Sequence, residues 1–198
     1  MPPKKQVDAQ RILEVSIALA DAHGLEAVTL ASVAEQLGIR VPSLYNHVDG
    51  LPGLRRALAL WGLRQLTDQV RRAAVGKAGE AAILSVAQAY RAFAHTHPGV
   101  YPGTLRAASP EEPELAQAGQ ELLEVVLAVL AGYALNEEDA LHAVRGLRSV
   151  LHGFVALELV GGFGMPLDRD ESFRRLIAAF TQGLARLNQS GSVRASHS

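Results

Sequence analysis

Residues 24–50, GLEAVTLASVAEQLGIRVPSLYNHVDG, carry the most specific pattern in the chain. Thr29 stands where a helix N-cap is wanted, its hydroxyl able to accept from a backbone N–H of the next turn. The short helix it opens carries Val33, Ala34 and Leu37, and Gly38 ends it. A further short helix is predicted over about Val41 to Val48, with Pro42 in its first turn, where the missing N–H costs nothing. Ala34, Gly38 and Leu44 stand at spacings of four and six. Two short helices that cross steeply need a small residue at the contact, a glycine to turn the chain and an apolar anchor on the second helix. That is the helix-turn-helix requirement, and it leaves the second helix free to enter a major groove. An ordinary αα-corner obeys the same three constraints, so spacing alone leaves both readings open.

The flanking segments keep helical rather than strand periodicity, and β-branched runs are absent. A first helix is predicted from near Asp8 to Gly24, with Ile12, Ser16, Leu19 and Ala20 on one face and Gly24 as a left-handed C-terminal cap. From Pro52 to about Val75 an amphipathic helix carries Leu54, Leu58, Trp61 and Leu66, and Gly76 and Gly79 break it. Glu80 to His97 is the next, stopped by Pro98-Gly99. Residues 98–113 form a connector holding four of the nine prolines. Leu115 to Leu135 is apolar nearly all round in its second half, which predicts a central position. Asn136 caps a helix whose stripe runs Ala140, Val144, Leu147, Leu151, Phe154 and Glu158. The last helix repeats Phe173, Leu176, Ile177, Phe180, Leu184 and Leu187. The class is all-α: three short helices, then five or six longer ones.

Composition excludes whole classes of function. The 198 residues suffice to bury roughly 70% of the unfolded surface without a disulfide or metal. Cysteine is absent, which removes disulfide frameworks, Cys-based metal sites and thiol nucleophiles together. Apolar residues make up 48% and charged ones 20%, a balance unlike that of disordered chains. The longest purely apolar run, Val125 to Leu135, falls short of the about 20 residues that a membrane span needs. These features predict a soluble cytoplasmic protein without a membrane partner or a cofactor. Residues 1–75 carry nine Lys or Arg against seven Asp or Glu, and residues 76–198 carry ten against thirteen. The N-terminal part leans weakly towards an anionic partner.

The segment 24–50 resembles the N-terminal module of the TetR family of bacterial one-component transcriptional regulators. Its run Pro42-Ser43-Leu44-Tyr45, with His47 and Val48, is similar to the recognition helix of tetracycline repressors. The resemblance covers residues 8–65 in detail, and beyond them only length and helix count match. It implies a DNA-binding module over 1–50 with a linking helix at 52–75, an effector-binding and dimerisation domain at 76–188, and a disordered tail at 189–198. Thr29 and Ser32 would donate to a phosphate, helped by the helix N-terminus. Arg40, Val41, Pro42, Ser43 and Asn46 lie at the start or on the exposed face of the third helix. Arg40 and Asn46 can read guanine and adenine edges, and Val41 or Pro42 can meet a thymine methyl. Tyr45 and His47 match positions that clamp phosphates, and Lys4 and Lys5 would form a mobile basic arm. Two places depart from the family. Leu51 stands where a phosphate-gripping lysine is frequent, and Arg40 replaces the Ser or Thr that commonly opens the recognition helix.

The implied partners are a double-stranded, near-palindromic DNA operator, a second copy of the chain and a small, largely apolar effector. Two recognition helices must enter grooves about 34–36 Å apart, which calls for a dimer. The helices at 137–160 and 171–187 are the candidate dimer face; their stripes would serve equally as plain core. Trp61, Tyr90, Phe93 and Tyr101 are candidates for an effector pocket, with His97 or His152 as polar handle, and core packing is the alternative for each. The pair His95-x-His97 does not point to a metal, since residues two apart on a helix face different ways. Gly153, mid-helix, predicts a close neighbour. No serine sits in a strand-turn-helix setting, so an enzyme is not expected. The rival reading is an all-α small-molecule binding protein whose corner never meets DNA.

Overall fold

The computed structural model describes residues 7–195. They form the α-helices α1 (Ala9–His23), α2 (Leu30–Leu37), α3 (Val41–Leu44), α4 (Gly50–Ala74), α5 (Gly79–Thr96), α6 (Pro113–Leu130), α7 (Glu137–Leu159) and α8 (Arg169–Ala195). Single 3₁₀ turns lie at Leu25–Ala27, Tyr101–Thr104 and Ala131–Tyr133. No strand occurs among the described residues, and the class is all-α. Lys4 and Lys5 lie outside them.

Helix starts follow the side-chain caps. The Asp8 carboxylate accepts from Arg11 N at 2.8 Å, and Asn136 Oδ1 from Asp139 N at 2.9 Å. Each satisfies one of the donors a helix start leaves open. Gly38, at φ 66° and ψ 32°, closes α2 in the left-handed region. Gly24 ends α1 with φ 84° but ψ 160°, so its positive φ redirects the chain without forming the left-handed cap expected there.

The chain packs as two compact units. One takes the residues up to Gln65 together with Phe93–Gly119, and the other Leu66–Ala92 together with the chain from Gln120 on. The core of the first contains Ile12, Ala20, Val28, Val33, Ala34, Leu44, Leu54, Leu58 and Val100. Val100 comes from the proline-rich connector, which thus belongs to the same core as the helix-turn-helix. In the second unit Ile83, Val86, Leu147, Leu151, Phe154, Phe173, Ile177 and Leu184 are buried. Of these, Leu147, Leu151, Phe154, Phe173, Ile177 and Leu184 belong to the stripes read from α7 and α8, whose Ala140, Val144, Leu176 and Phe180 are half-buried.

Four expectations need correction. The third helix is one turn, not the two expected to Val48. After Leu44 the chain turns, and the Leu44 carbonyl accepts from both His47 N at 2.9 Å and Val48 N at 3.0 Å. Asn, His, Val and Gly are poor helix formers, and nothing extends the helix beyond its Pro42 start. α6 is not central: Leu115, Ala118 and Leu130 are buried, whereas Leu122, Leu123, Val125, Val126, Leu127 and Val129 are half-buried. By length and composition alone, Pro113–Tyr133 is long and apolar enough to cross a membrane, which the shorter uninterrupted run did not suggest. Beyond its chain neighbours and the backbone of its own helix, no described atom comes within 4 Å of a Cβ built on Gly153, so no neighbouring helix accounts for that glycine. α8 runs from Arg169 to Ala195.

Candidate nucleic-acid interface

The helix-turn-helix is assembled from the capped start of α2 and the anchored turn of α3. Thr29 Oγ1 accepts from Ser32 N at 3.0 Å, and Ser32 Oγ accepts from Thr29 N at 3.0 Å, a reciprocal capping box. Ser32 Oγ also donates to the Ala27 carbonyl at 2.8 Å, and the Thr29 hydroxyl reaches Ser32 Oγ at 3.1 Å. Both hydroxyls are therefore engaged within the chain. A phosphate at this point would meet the Thr29 hydroxyl after rotation, or the backbone N–H groups of the first turn of α2.

Leu44 is fully buried and Ala34 nearly so, which fixes α3 against α2. Val41 packs against the same core, and most of the rest of the α3 turn faces outward. Arg40, Pro42, Ser43, Asn46 and His47 are exposed, Val41 is half-buried, and Tyr45 keeps 61% of its surface open. Arg40 occupies the N-cap position without a side-chain cap bond, as an arginine must, since it has no acceptor. The structure thus groups Arg40 to His47 on one surface, with Thr29 and Ser32 at the start of the neighbouring helix.

Cations near this surface are largely committed elsewhere. Arg55 pairs with Glu26 at 2.9 Å, and Arg11 with Glu14 at 3.1 Å. Arg56 and Arg106 both approach Glu112, at 3.5 and 2.5 Å. The Arg106 guanidinium, with the Ser109 N–H, holds the Glu112 carboxyl down at about 2.

The effector candidates divide between the units. Trp61, Phe93 and His97 come together in the first: the His97 ring meets Trp61 edge-on, centroids 4.9 Å apart, and tilts against Phe93 at 5.4 Å. Tyr101 is buried beside them, its backbone N–H donating to the His97 carbonyl at 2.8 Å. Tyr90, buried, and His152, half-buried, belong to the second unit. Among the described residues no group of three or more His, Asp or Glu could hold a metal ion.

Two clusters escaped the sequence reading. Asp21 binds His97 Nδ1 at 2.7 Å. A carboxylate in the last turn of a helix faces unpaired carbonyls and is out of place without a partner, so the signal was legible. In the second unit Arg91 grips Glu158 through two hydrogen bonds of 2.6 Å, pairs with Asp170 at 2.8 Å and lies over the Phe154 and Phe173 rings. Glu158 falls on the apolar stripe of α7, which announces a buried partner. Nothing in the sequence says that it is Arg91.

Comparison with known proteins places both halves. Residues 83–180 match the family described as tetracyclin repressor-like, C-terminal domain. An uncharacterised HTH-type transcriptional regulator of Bacillus subtilis, YobS, is 36% identical over 93% of this chain and 96% of its own. A second such regulator, from Mycobacterium tuberculosis, is 35% identical over 94% of this chain and 85% of its own. Among solved structures, a protein of unknown function from Rhodococcus sp. RHA1 superposes with a TM-score of 0.79 at 21% identity, covering 93% of this chain and all of that one. TetR from Acinetobacter baumannii does so at 0.70 and 18% identity, over 92% and 99%, which speaks for the fold alone. Relatives this similar match almost from end to end, so the helix-turn-helix and the C-terminal domain share one ancestry: the chain belongs to the TetR family of transcriptional regulators.

Proposed function

We propose that the protein is a cytoplasmic, ligand-responsive repressor that binds a near-palindromic operator as a homodimer and leaves it when a largely apolar effector binds. The observation that carries this reading is the surface from Arg40 to His47, outward-facing and held rigidly by buried Leu44. Arg40 and Asn46 suit base edges, Val41 or Pro42 a thymine methyl, and Tyr45 and His47 phosphates. The direction of control is supported by the HTH-type transcriptional repressor DrrR1 of Streptomyces coeruleorubidus, 28% identical over 87% of this chain and 58% of its own. A second copy would meet α7 and α8 on the apolar side chains left outside the core, among them Leu141, Leu157 and Val160. Trp61, Tyr90, Phe93, Tyr101 and His152 are the effector candidates, with His97 contributing only its unbonded ring edge.

Selection from random duplexes tests the reading. We expect enrichment of a two-fold-symmetric site, bound by a dimer with a salt slope of roughly −3 to −6, at about −0.9 per phosphate neutralised. A panel without any enriched symmetric site refutes operator binding and leaves an all-α small-molecule binder.

A further inference from the structure

Asp21 receives three donors from one corner of the chain. Its Oδ1 accepts from the backbone N–H of Gly99 at 3.1 Å and of Val100 at 3.3 Å, and its Oδ2 meets His97 Nδ1 at 2.7 Å. The corner approaches α1 so closely that a Cβ on Gly99 would lie 1.8 Å from the Ala20 carbonyl oxygen. The far side of the corner lies on α4. A Cβ on Gly62 would meet Val100 Cγ1 at 2.8 Å and Thr104 Cγ2 at 2.9 Å, and the His97 ring stands edge-on to Trp61. One carboxylate therefore ties the end of α1 to the corner that follows α5, and that corner in turn packs on the middle of α4. The outer end of the connector is clipped a second time, where Glu112 meets Arg56 of α4.

Apolar side chains would pack these elements together without such chemistry. What the carboxylate adds is register. Three donors from four consecutive residues converge on it in only one placement of the corner. A displacement of about 1.5 Å takes all three beyond hydrogen-bond reach at once. Packed contacts of this kind have discrete arrangements rather than a continuum.

We infer that Asp21 and His97 are positioning residues that make this corner a coupling joint between the effector helices and the DNA-reading turn. Closed, it holds the end of α1, and with it the short stretch leading to the Thr29 cap of α2, in the arrangement that reads DNA. A shift of the end of α5 opens it and releases that arrangement. The inference rests on the operator binding proposed above and names the residues through which that binding is regulated.

The test uses the full-length protein and the duplex selected by the wild type. His97→Ala is expected to weaken binding about tenfold, within the usual range of coupling between sites, with base preference unchanged. His97→Asn, whose amide nitrogen can take the place of Nδ1, should return it to within about threefold. Ile83→Val, a conservative core change in the other unit, controls for general destabilisation and should leave affinity unchanged. By reciprocity, saturating duplex should slow hydrogen exchange at the Gly99 and Val100 amides of the wild type, a response that a merely structural contact would not give. That measurement stands even if His97→Ala fails to fold. Equal exchange at these amides with and without duplex overturns the inference, as does wild-type affinity in folded His97→Ala. If the wild type selects no duplex, the operator reading fails and takes the joint's role with it. If it selects one and these responses are missing, only the joint falls.

Discussion

Replacing Gly99 with alanine puts the corner to its severest test. The new Cβ would lie 1.8 Å from Ala20 O, 2.1 Å from Ala20 C and 2.7 Å from Asp21 N, all of them backbone atoms that cannot rotate away. To restore ordinary contact the corner must retreat by about 1.5 Å, which stretches the 2.7, 3.1 and 3.3 Å bonds to Asp21 past their limit. Overpacking costs about 1–3 kcal/mol, and each hydrogen bond to a charged group contributes about 1.5–3 kcal/mol when lost. Asp21 keeps some access to water, which returns part of the latter. We therefore expect a loss of about 3–5 kcal/mol, a large fraction of the about 5–15 kcal/mol that holds a domain together. Urea unfolding reads it directly, as a midpoint lowered by about 1–3 M at an ordinary slope. Two further glycines calibrate the result. Gly103→Ala, with its Cβ at 3.6 Å from Ala59, should change stability by less than about 0.5 kcal/mol. Gly153→Ala, in open space within a helix, should raise it by up to about 1 kcal/mol. A Gly99→Ala protein as stable as the Gly103→Ala protein would refute the close approach and the reasoning built on it.

Arg91→Met leaves Glu158 buried without its counter-charge and should cost about 3–5 kcal/mol, whereas Arg91→Met with Glu158→Leu should recover most of it; calorimetry finding the pair no better than the single change contradicts this. The Glu112 carboxyl, depressed from its ordinary value of 4.5 to about 2, stabilises the fold fully above about 4.5 and loses that effect as pH falls towards 2. The difference in melting temperature between wild type and Glu112→Gln should accordingly be present at neutral pH and close on acidification through that window, and a constant difference would be the wrong result. Tyr45→Phe should weaken all duplexes alike, and Asn46→Ala should blur preference at one base pair, each by about 1–3 kcal/mol across single-base operator variants. Base preference set by Tyr45 would reverse the orientation given to the reading turn.

The helices were legible because their ends carry punctuation. Asp8, Thr29 and Asn136 cap where their side chains can reach a free N–H, and Gly38 turns where only a small residue is comfortable. The length of α3 was not legible, because periodicity over four residues cannot separate a helical turn from a series of hydrogen-bonded turns. Gly153 misled for a different reason: a glycine that weakens a helix suggests a neighbouring helix close by, yet none approaches it among the described residues. The surface from Arg40 to His47 followed from resemblance and pattern together. The partners of Asp21 and Glu158 did not, since contacts across 76 and 67 residues leave no periodic trace. Each did leave a local anomaly, an acid at the wrong end of one helix and an acid on the apolar stripe of another.

Those two anomalies bear on how such a protein can be controlled. Arg11, Arg55 and Arg56 all have carboxylate partners within the chain, which leaves Arg40 as the one cation within residues 24–50. Ionic contacts to phosphate are long-ranged and tolerate displacement, so a strongly basic module holds DNA even when its helices are misplaced. In the proposed complex a nearly neutral one would depend on short-range contacts from Asn46, Tyr45 and the apolar edge of Val41 and Pro42, which fail within an ångström or two. In that complex a small displacement would suffice for release. The chain provides routes for it, because α4, α5 and α6 each begin in one compact unit and end in the other. α4 runs directly on from the reading turn, while α5 and α6 meet at the connector that Asp21 ties to α1. Adding cations to the reading surface, as Leu51→Lys does, should raise affinity and steepen the salt dependence by about one unit per phosphate gripped. It should also blunt release by effector, since the added contact survives the displacement that breaks the others. If Leu51→Lys raised affinity while leaving release by a hit from a thermal-shift screen undiminished, control by small displacement would be the wrong account.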